Sequence, residues 1–370
     1  MKGINAEVGP GGRFLVLMAA AVIVVAGLRA GAPILVPFFL AFFLAILSLP
    51  VMLWLREKGL PTPFAIALAV LLDLAILGVV VLLATQSLAD LQDRLPGYAS
   101  RFNAIYQSWI DALQERGIPA SQYLTGQLQE IISAAAIIDQ VRTLVTWGAT
   151  FLSAVFIVVL IMVFILAEAS IFPAKFRAVL GAGEEDLGRF TKITGEVLDY
   201  LVIKTAVSLG TGLCIGVWAW VMGLDFPILL GLIGFALNYV PTIGSILAAI
   251  PAVLLAMIQM GGIGPILAVA AGYLVINIIF GNLLEPHLLG RRLGLSTLVV
   301  ILSLIFWAWV WGPVGALLAV PLTMVMKIML ANTEDLRWIA ILLDKEVPRE
   351  PAAIASRVPG PVPVEPDDAV

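Results

Sequence analysis

Long apolar runs, separated by short clusters of polar and turn-forming residues, set the pattern of this chain. A helix needs about 20 apolar residues to cross a hydrocarbon core about 30 Å thick. Segments 14–30, 33–55, 63–85, 147–168, 201–222 and 264–281 reach or approach that length, which predicts about six spanning helices. Two further runs, 226–259 and 297–330, are each 34 residues long. As straight helices they would measure about 51 Å, far more than the core requires. The first is interrupted at Asn238-Tyr239-Val240-Pro241-Thr242-Ile243-Gly244-Ser245, the second at Trp311-Gly312-Pro313-Val314-Gly315. The pattern predicts an all-α polytopic membrane protein with two broken, re-entrant helical hairpins.

One stretch is different in kind. Leu88, Leu91, Leu95, Tyr98, Phe102, Ile105, Trp109 and Leu113 recur at three- and four-residue steps, with Asp90, Asp93, Arg94, Arg101 and Asp111 opposite them. That spacing predicts an amphipathic helix outside the bilayer, followed by a shorter one over 121–145. Its apolar face has two uses, packing on the protein's own membrane helices or contacting another subunit. After Pro348 the chain is rich in Pro, Ala and Val without periodicity, which predicts a disordered tail.

Lys and Arg mark the loops that face the cytoplasm. Lys2 and Arg13, Arg56 and Lys58, then Lys175, Arg177, Arg189 and Lys192 fall on one side, with 86–146 on the other. Arg291 and Arg292 join the first side only if 226–259 enters and leaves the membrane on the outer face. Run 297–330 must then enter and leave on the inner face, which keeps both termini cytoplasmic. Helix 201–222 with an outer hairpin is thus followed by helix 264–281 with an inner hairpin, the same unit in inverted orientation. Inverted repeats with Gly/Pro-interrupted segments at matching positions point to a transporter's binding site. The alternative is two spanning helices merely kinked by proline. The regions read as 1–85, three membrane helices; 86–146, the extramembrane segment; 147–200, a fourth helix and cytoplasmic loop; 201–330, the inverted repeat; and 331–370, the cytoplasmic tail.

Composition agrees with the pattern: 61% of residues are hydrophobic, 12% are charged and the mean hydropathy is +1.06. A water-soluble chain of this length cannot hide so much apolar surface. Arg13, an apolar run and Ala30-Gly31-Ala32 resemble a signal peptide, but the run leads directly into a second one and reads as a retained helix. Cys214 is the sole cysteine and His287 the sole histidine, so no internal disulfide and no Cys- or His-based metal site is expected. No basic stripe with interleaved aromatics suggests nucleic acid, no nucleotide-binding loop suggests ATP, and no cofactor is implied.

The chemistry concentrates at the interruptions. Bare backbone at membrane depth is tolerated where it is buried in protein or lines a wet cavity. Pro241 lacks an N–H and Gly244 permits unusual dihedrals. The freed carbonyls, with Asn238, Thr242 and Ser245, would offer oxygen ligands to a polar solute or a cation. The second interruption offers only backbone, at Gly312, Pro313 and Gly315, beside Trp307, Trp309 and Trp311, which either stack on a solute or anchor and pack. Asp73, in the middle of an apolar run, needs either a partner or a proton-coupling role, since a central carboxylate is disfavoured by about 2.5–3.5 kcal/mol. Asn277 and Asn282 are candidates to cap or join helices, and Lys204 to snorkel toward the interface.

With these residues in view, the C-terminal half resembles the autoinducer-2 exporter family of bacterial inner-membrane proteins. The resemblance is carried by Val240-Pro241-Thr242-Ile243-Gly244 and Ile250-Pro251, then Asn282-Leu283-Leu284-Glu285-Pro286-His287-Leu288-Leu289-Gly290. Leu293-Gly294-Leu295, Gly312-Pro313-Val314-Gly315 and Ala319-Val320-Pro321-Leu322 complete it in order. Thr242 and Ser296-Thr297 depart from the family's usual aromatic and His-Pro. The resemblance implies a secondary carrier that exports a small polar solute, with proton or sodium exchange and a homo-oligomer as expectations. Asp73, Asn277, Asn282, Glu285 and Pro286 stand as candidates for coupling or gating. An enzyme is not expected, because His287 has no nucleophile partner in the pattern. A cation–proton antiporter and a membrane scaffold acting through 86–146 are the competing readings.

Overall fold

A computed structural model describes residues 10–116, 155–169, 171, 175, 184–241, 243–289, 295–331 and 337–344. The expected second amphipathic helix over 121–145 and the tail after Pro348 lie outside these residues. Every regular element described is helical: α1 (Pro10–Ala30), α2 (Ala32–Glu57), α3 (Thr62–Glu115), α4 (Val155–Ala169), α5 (Glu184–Val221), α6 (Pro227–Asn238) and α7 (Ile243–Met260). α8 (Ile263–Asn277) continues through a π-helical stretch, Ile278–Leu284, into the short α9 (Glu285–Leu289). α10 (Thr297–Ala331) and α11 (Arg337–Leu343) follow. Six described helices are long and apolar enough to cross a membrane: Ala32–Glu57, Thr62–Ala112, Val197–Val221, Ile243–Met260, Ile263–Leu288 and Leu298–Leu330. Many of their large apolar side chains face outward, such as Phe64, Leu213, Trp220 and Ile263, as expected where the solvent is lipid.

Two boundaries differ from the sequence reading. α5 begins at Glu184, so part of the expected cytoplasmic loop is helix that extends the membrane element. α3 runs unbroken for 54 residues, about 81 Å, and therefore carries its amphipathic half well beyond any bilayer. Pro96 sits inside it without ending it. Along that half, Leu95 and Tyr98 are buried as expected, whereas Trp109 is exposed and its neighbour Ile110 is buried instead.

Both 34-residue runs fold back on themselves. In the first, the Asp225 backbone N–H donates to Gln259 Oε1 at 3.0 Å. Gln259 Nε2 in turn donates to the Gly223 carbonyl at 3.0 Å. The start of α6 and the end of α7 thus lie side by side, which no kinked rod allows. In the second, the backbone leaves helical geometry at Gly312, at φ 65° and ψ −148°. There Trp307 Nε1 donates to Thr323 Oγ1 at 3.1 Å, although 16 residues of straight helix would separate them by about 24 Å.

The hairpins point in opposite directions. A short turn joins Glu57 to Thr62 and Ser48 bonds to Asp73, so α2 and α3 run antiparallel and the α1–α2 turn lies toward the distal end of α3. Distal α3 holds the base of the first hairpin, through the Arg94–Asp225 ion pair at 3.1 Å and the Tyr98 hydroxyl bonded to Asp225. The tip of the second hairpin reaches the same side, because Trp311 Nε1 donates to the Leu28 carbonyl at 3.0 Å. The Arg29 guanidinium also lies over the Trp309 ring. The base of the second hairpin is closed by α11, through Ser296 N–H to the Leu343 carbonyl at 3.2 Å and Lys327 to Asp344 at 2.7 Å.

Close approach of backbones holds the first hairpin against α5. A Cβ added to Gly212 would meet the Gly231 carbonyl at 2.7 Å, and one added to Gly231 would meet the Gly212 carbonyl at 2.8 Å. Gly212 and Gly216 form the small-xxx-small spacing that lets membrane helices touch.

Candidate functional site

The first tip is a tight turn, Tyr239 to Pro241, between α6 and α7. Its carbonyls are less available than the sequence suggests. Leu237 O accepts from Val240 N–H at 2.9 Å, Val240 O from Gly244 N–H at 3.1 Å and Pro241 O from Ile243 N–H at 2.7 Å. Gly244 is required because a Cβ there would lie 1.8 Å from the Leu237 carbonyl oxygen. Ser245 is half-buried on the first turn of α7, and Thr242 lies outside the described residues.

The polar chemistry comes from side chains instead. Asn238 is buried and its Nδ2 donates to Ser208 Oγ at 3.0 Å. The Tyr239 hydroxyl donates to Thr205 Oγ1 at 2.8 Å, and Thr205 donates to the Leu201 carbonyl at 2.7 Å. Next to them Lys204, only 2% exposed, pairs with Glu285 Oε1 at 2.6 Å. The expected snorkelling of Lys204 is therefore corrected: its ammonium turns inward to a carboxylate.

These groups share one face of α5. Tyr200, Lys204, Ser208 and Thr211 follow at steps of four, four and three, and all are buried. Such a stripe in an apolar helix is legible by period, but the proline-broken turn carries the stronger sequence signal and draws attention away from it. Tyr200 lies within electrostatic range of both Glu285 and Tyr239, so the hairpin tip, α5 and α9 meet at one polar cluster.

The second tip carries no polar side chain. A Cβ on Gly315 would lie 2.0 Å from the Trp307 carbonyl oxygen and 2.9 Å from the Trp311 Cβ. Gly312 supplies the positive φ that Pro313 follows. Gly315 over Trp307 repeats the arrangement of Gly244 over Leu237, so the two tips share one construction. All three tryptophans are engaged by protein: Trp307 by Thr323, Trp311 by Leu28 and Trp309 by Arg29. Trp307 and Trp311 are buried, whereas Trp309 keeps an exposed ring.

The coupling candidates are dispersed. Asp73 lies in α3 and bonds to the Ser48 hydroxyl of α2, on the side of the molecule formed by α2, α3 and α4. The Asn277 side chain covers Gly281 within the π-helical stretch. Asn282 and Pro286 are exposed. Only Glu285 joins the polar cluster. No group of three or more metal-ligating side chains occurs among the described residues.

Comparison with known proteins gives a consistent picture. The family model described as "AI-2E family transporter" matches residues 14–335. The AI-2 transport protein TqsA of Escherichia coli (strain K12) is 39% identical over 335 residues, covering 90% of this chain and 95% of that protein. A protein of Haemophilus influenzae named as a transport protein is 35% identical over 336 residues, covering 90% and 96%. YhhT of Escherichia coli (strain K12), likewise named for transport, is 32% identical over 351 residues, covering 95% and 97%.

Proposed function

The chain belongs to the AI-2E transporter family, a family of membrane transport proteins, and from that premise we propose that it is a secondary carrier exporting a small polar solute. Autoinducer-2, the solute in the name of TqsA, is the first one to test. The observation that carries this reading is the meeting of a hairpin tip with a buried polar face: Asn238 on Ser208, Tyr239 on Thr205, and Lys204 on Glu285. Polar and ionisable groups at membrane depth are costly and mark solute or ion pathways.

The solute site is built from Asn238 and Ser245 at the first tip and the hydroxyls of α5. Gly244, Gly312 and Gly315 with Pro241 and Pro313 shape the two turns. Alternating access is then rocking of the hairpins against α5 and the α8–α9 rod. A proton or sodium gradient supplies the drive. The protein sits in the bacterial inner membrane with both termini cytoplasmic, as the loop charges argue, and assembles as a homo-oligomer through its extramembrane half.

Purified protein in liposomes loaded with autoinducer-2 tests the carrier directly. Release that saturates with internal concentration is expected, and Asn238→Leu should reduce it several-fold. Release no faster than from protein-free liposomes contradicts the carrier and favours a scaffold. Pumping of sodium against protons without any solute would favour the antiporter.

A further inference from the structure

Lys204 and Glu285 are the ion pair that joins the first helix of one inverted unit to the end of the first helix of the other. Lys204 is almost wholly buried, and Glu285 keeps 18% of its side-chain surface exposed. The Lys204 ammonium takes Oε1, while no described group donates to Oε2. Among the described residues, one oxygen is held and the other has no donor.

The chain makes a local exception to present this carboxylate. Residues 278–284 are π-helical, and the Glu285 N–H bonds back to the Phe280 carbonyl, five residues earlier. One extra residue in a turn rotates everything after it by about 100°. Without that insertion Glu285 would point away from Lys204. π-bulges of this kind recur at functional sites.

We propose that Glu285, steadied by Lys204, is a shared binding point that a proton and the hydroxyl groups of a neutral, hydroxyl-bearing solute occupy in turn. This rests on the carrier reading and names its coupling site. When ionised, the carboxylate accepts hydrogen bonds from solute hydroxyls through Oε2. A proton arriving from outside adds to Oε2 as the solute hydroxyl leaves, which loosens the pair with Lys204; when the proton departs to the inside the carboxylate is ionised again and the pair re-forms, with no other bond changed. The two ligands compete for one oxygen, so solute and proton move in opposite directions, as export requires. Tyr200 and Lys204 face Glu285 from α5, with Asp199 beside Tyr200 in the chain and Tyr239 behind it at the tip. His287 lies exposed on the carboxylate's own helix.

The experiment uses the full-length protein in liposomes containing autoinducer-2, with a pH-sensitive dye inside. For the wild type, acidifying the outside should speed efflux several-fold and carry protons inward with it. Glu285→Gln keeps a hydrogen-bonding group but cannot take a proton. Its downhill efflux should be slowed yet measurable, with the acid acceleration and the solute-linked proton signal both lost. A merely structural role would lower efflux and leave its acceleration by acid intact, which overturns the proposal. The wild type also gives an independent reading. Its exchange of autoinducer-2 at equal pH on both sides should slow as that pH is lowered, and a flat or rising rate overturns the proposal. Absence of wild-type efflux overturns the carrier reading and this site with it.

Discussion

Trp307 and Thr323, 16 residues apart, are joined by a hydrogen bond of 3.1 Å that clasps the second hairpin below its tip. Both partners are buried, so losing the hydroxyl strands an indole N–H. Thr323→Val should lower stability by about 1–3 kcal/mol, and Thr323→Ser by much less. The melting midpoints of the detergent-purified variants check this; equal midpoints for the Val and Ser variants would remove the clasp from the account.

The tips depend on absent side chains. Gly244→Ala places a Cβ against the Leu237 carbonyl and Gly315→Ala does the same against that of Trp307. Both should give little folded protein by size-exclusion chromatography. Gly264→Ala, where nothing lies within 4 Å of the added atom, should behave as the wild type.

How much of this can be read from the sequence depends on the kind of signal. The two hairpins are legible because 34 apolar residues exceed what a bilayer accommodates and because the charge rule favours an inner loop for Arg291 and Arg292. The side-chain cluster is not. Lys204 sits where the hydropathy has a helix leaving the bilayer, and only α5's start at Glu184 places it inside a packed interface. Its partner Glu285 reaches it through a π-helical turn, and an extra residue in a helix leaves no mark in hydrophobic period. The carbonyls expected to be free at Pro241 are instead satisfied by the turn itself, because a two- or three-residue reversal brings donors from the next helix within reach.

At the base of the first hairpin, Asp225 accepts from Tyr98 and pairs with Arg94. Phe226 beside it adopts φ 59°, the left-handed region that costs a bulky residue about 1–3 kcal/mol, and Tyr98 and Arg94 pack on its ring. Tyr98→Phe should cost about 1 kcal/mol of stability. Asp225→Ala should cost more, since it also releases Arg94. Trypsin cleavage at Arg94, faster in Asp225→Ala than in the wild type, would report the freed helix; equal cleavage rates would show that distal α3 is held elsewhere.

Asp73 has a hydroxyl partner in Ser48 and lies among α2, α3 and α4 rather than at the hairpins. Removing that partner leaves a carboxyl in apolar surroundings, at a cost of about 1–3 kcal/mol. Ser48→Ala should therefore lower the melting midpoint, and Ser48→Thr should restore most of it. A Ser48→Ala protein as stable as the wild type would leave Asp73 without a structural reason.

The central claim is that both hairpins turn back, from opposite faces. Single cysteines at Gly264, His287 and Trp338, placed one at a time in a Cys214→Ser background and treated with a membrane-impermeant thiol reagent on intact cells, test it most directly. Labelling of Gly264→Cys from outside, with His287→Cys and Trp338→Cys labelled only after the membrane is opened, is the predicted result. Outside labelling of His287→Cys, or opposite sides for His287→Cys and Trp338→Cys, would mean that one run crosses the bilayer and would contradict the account.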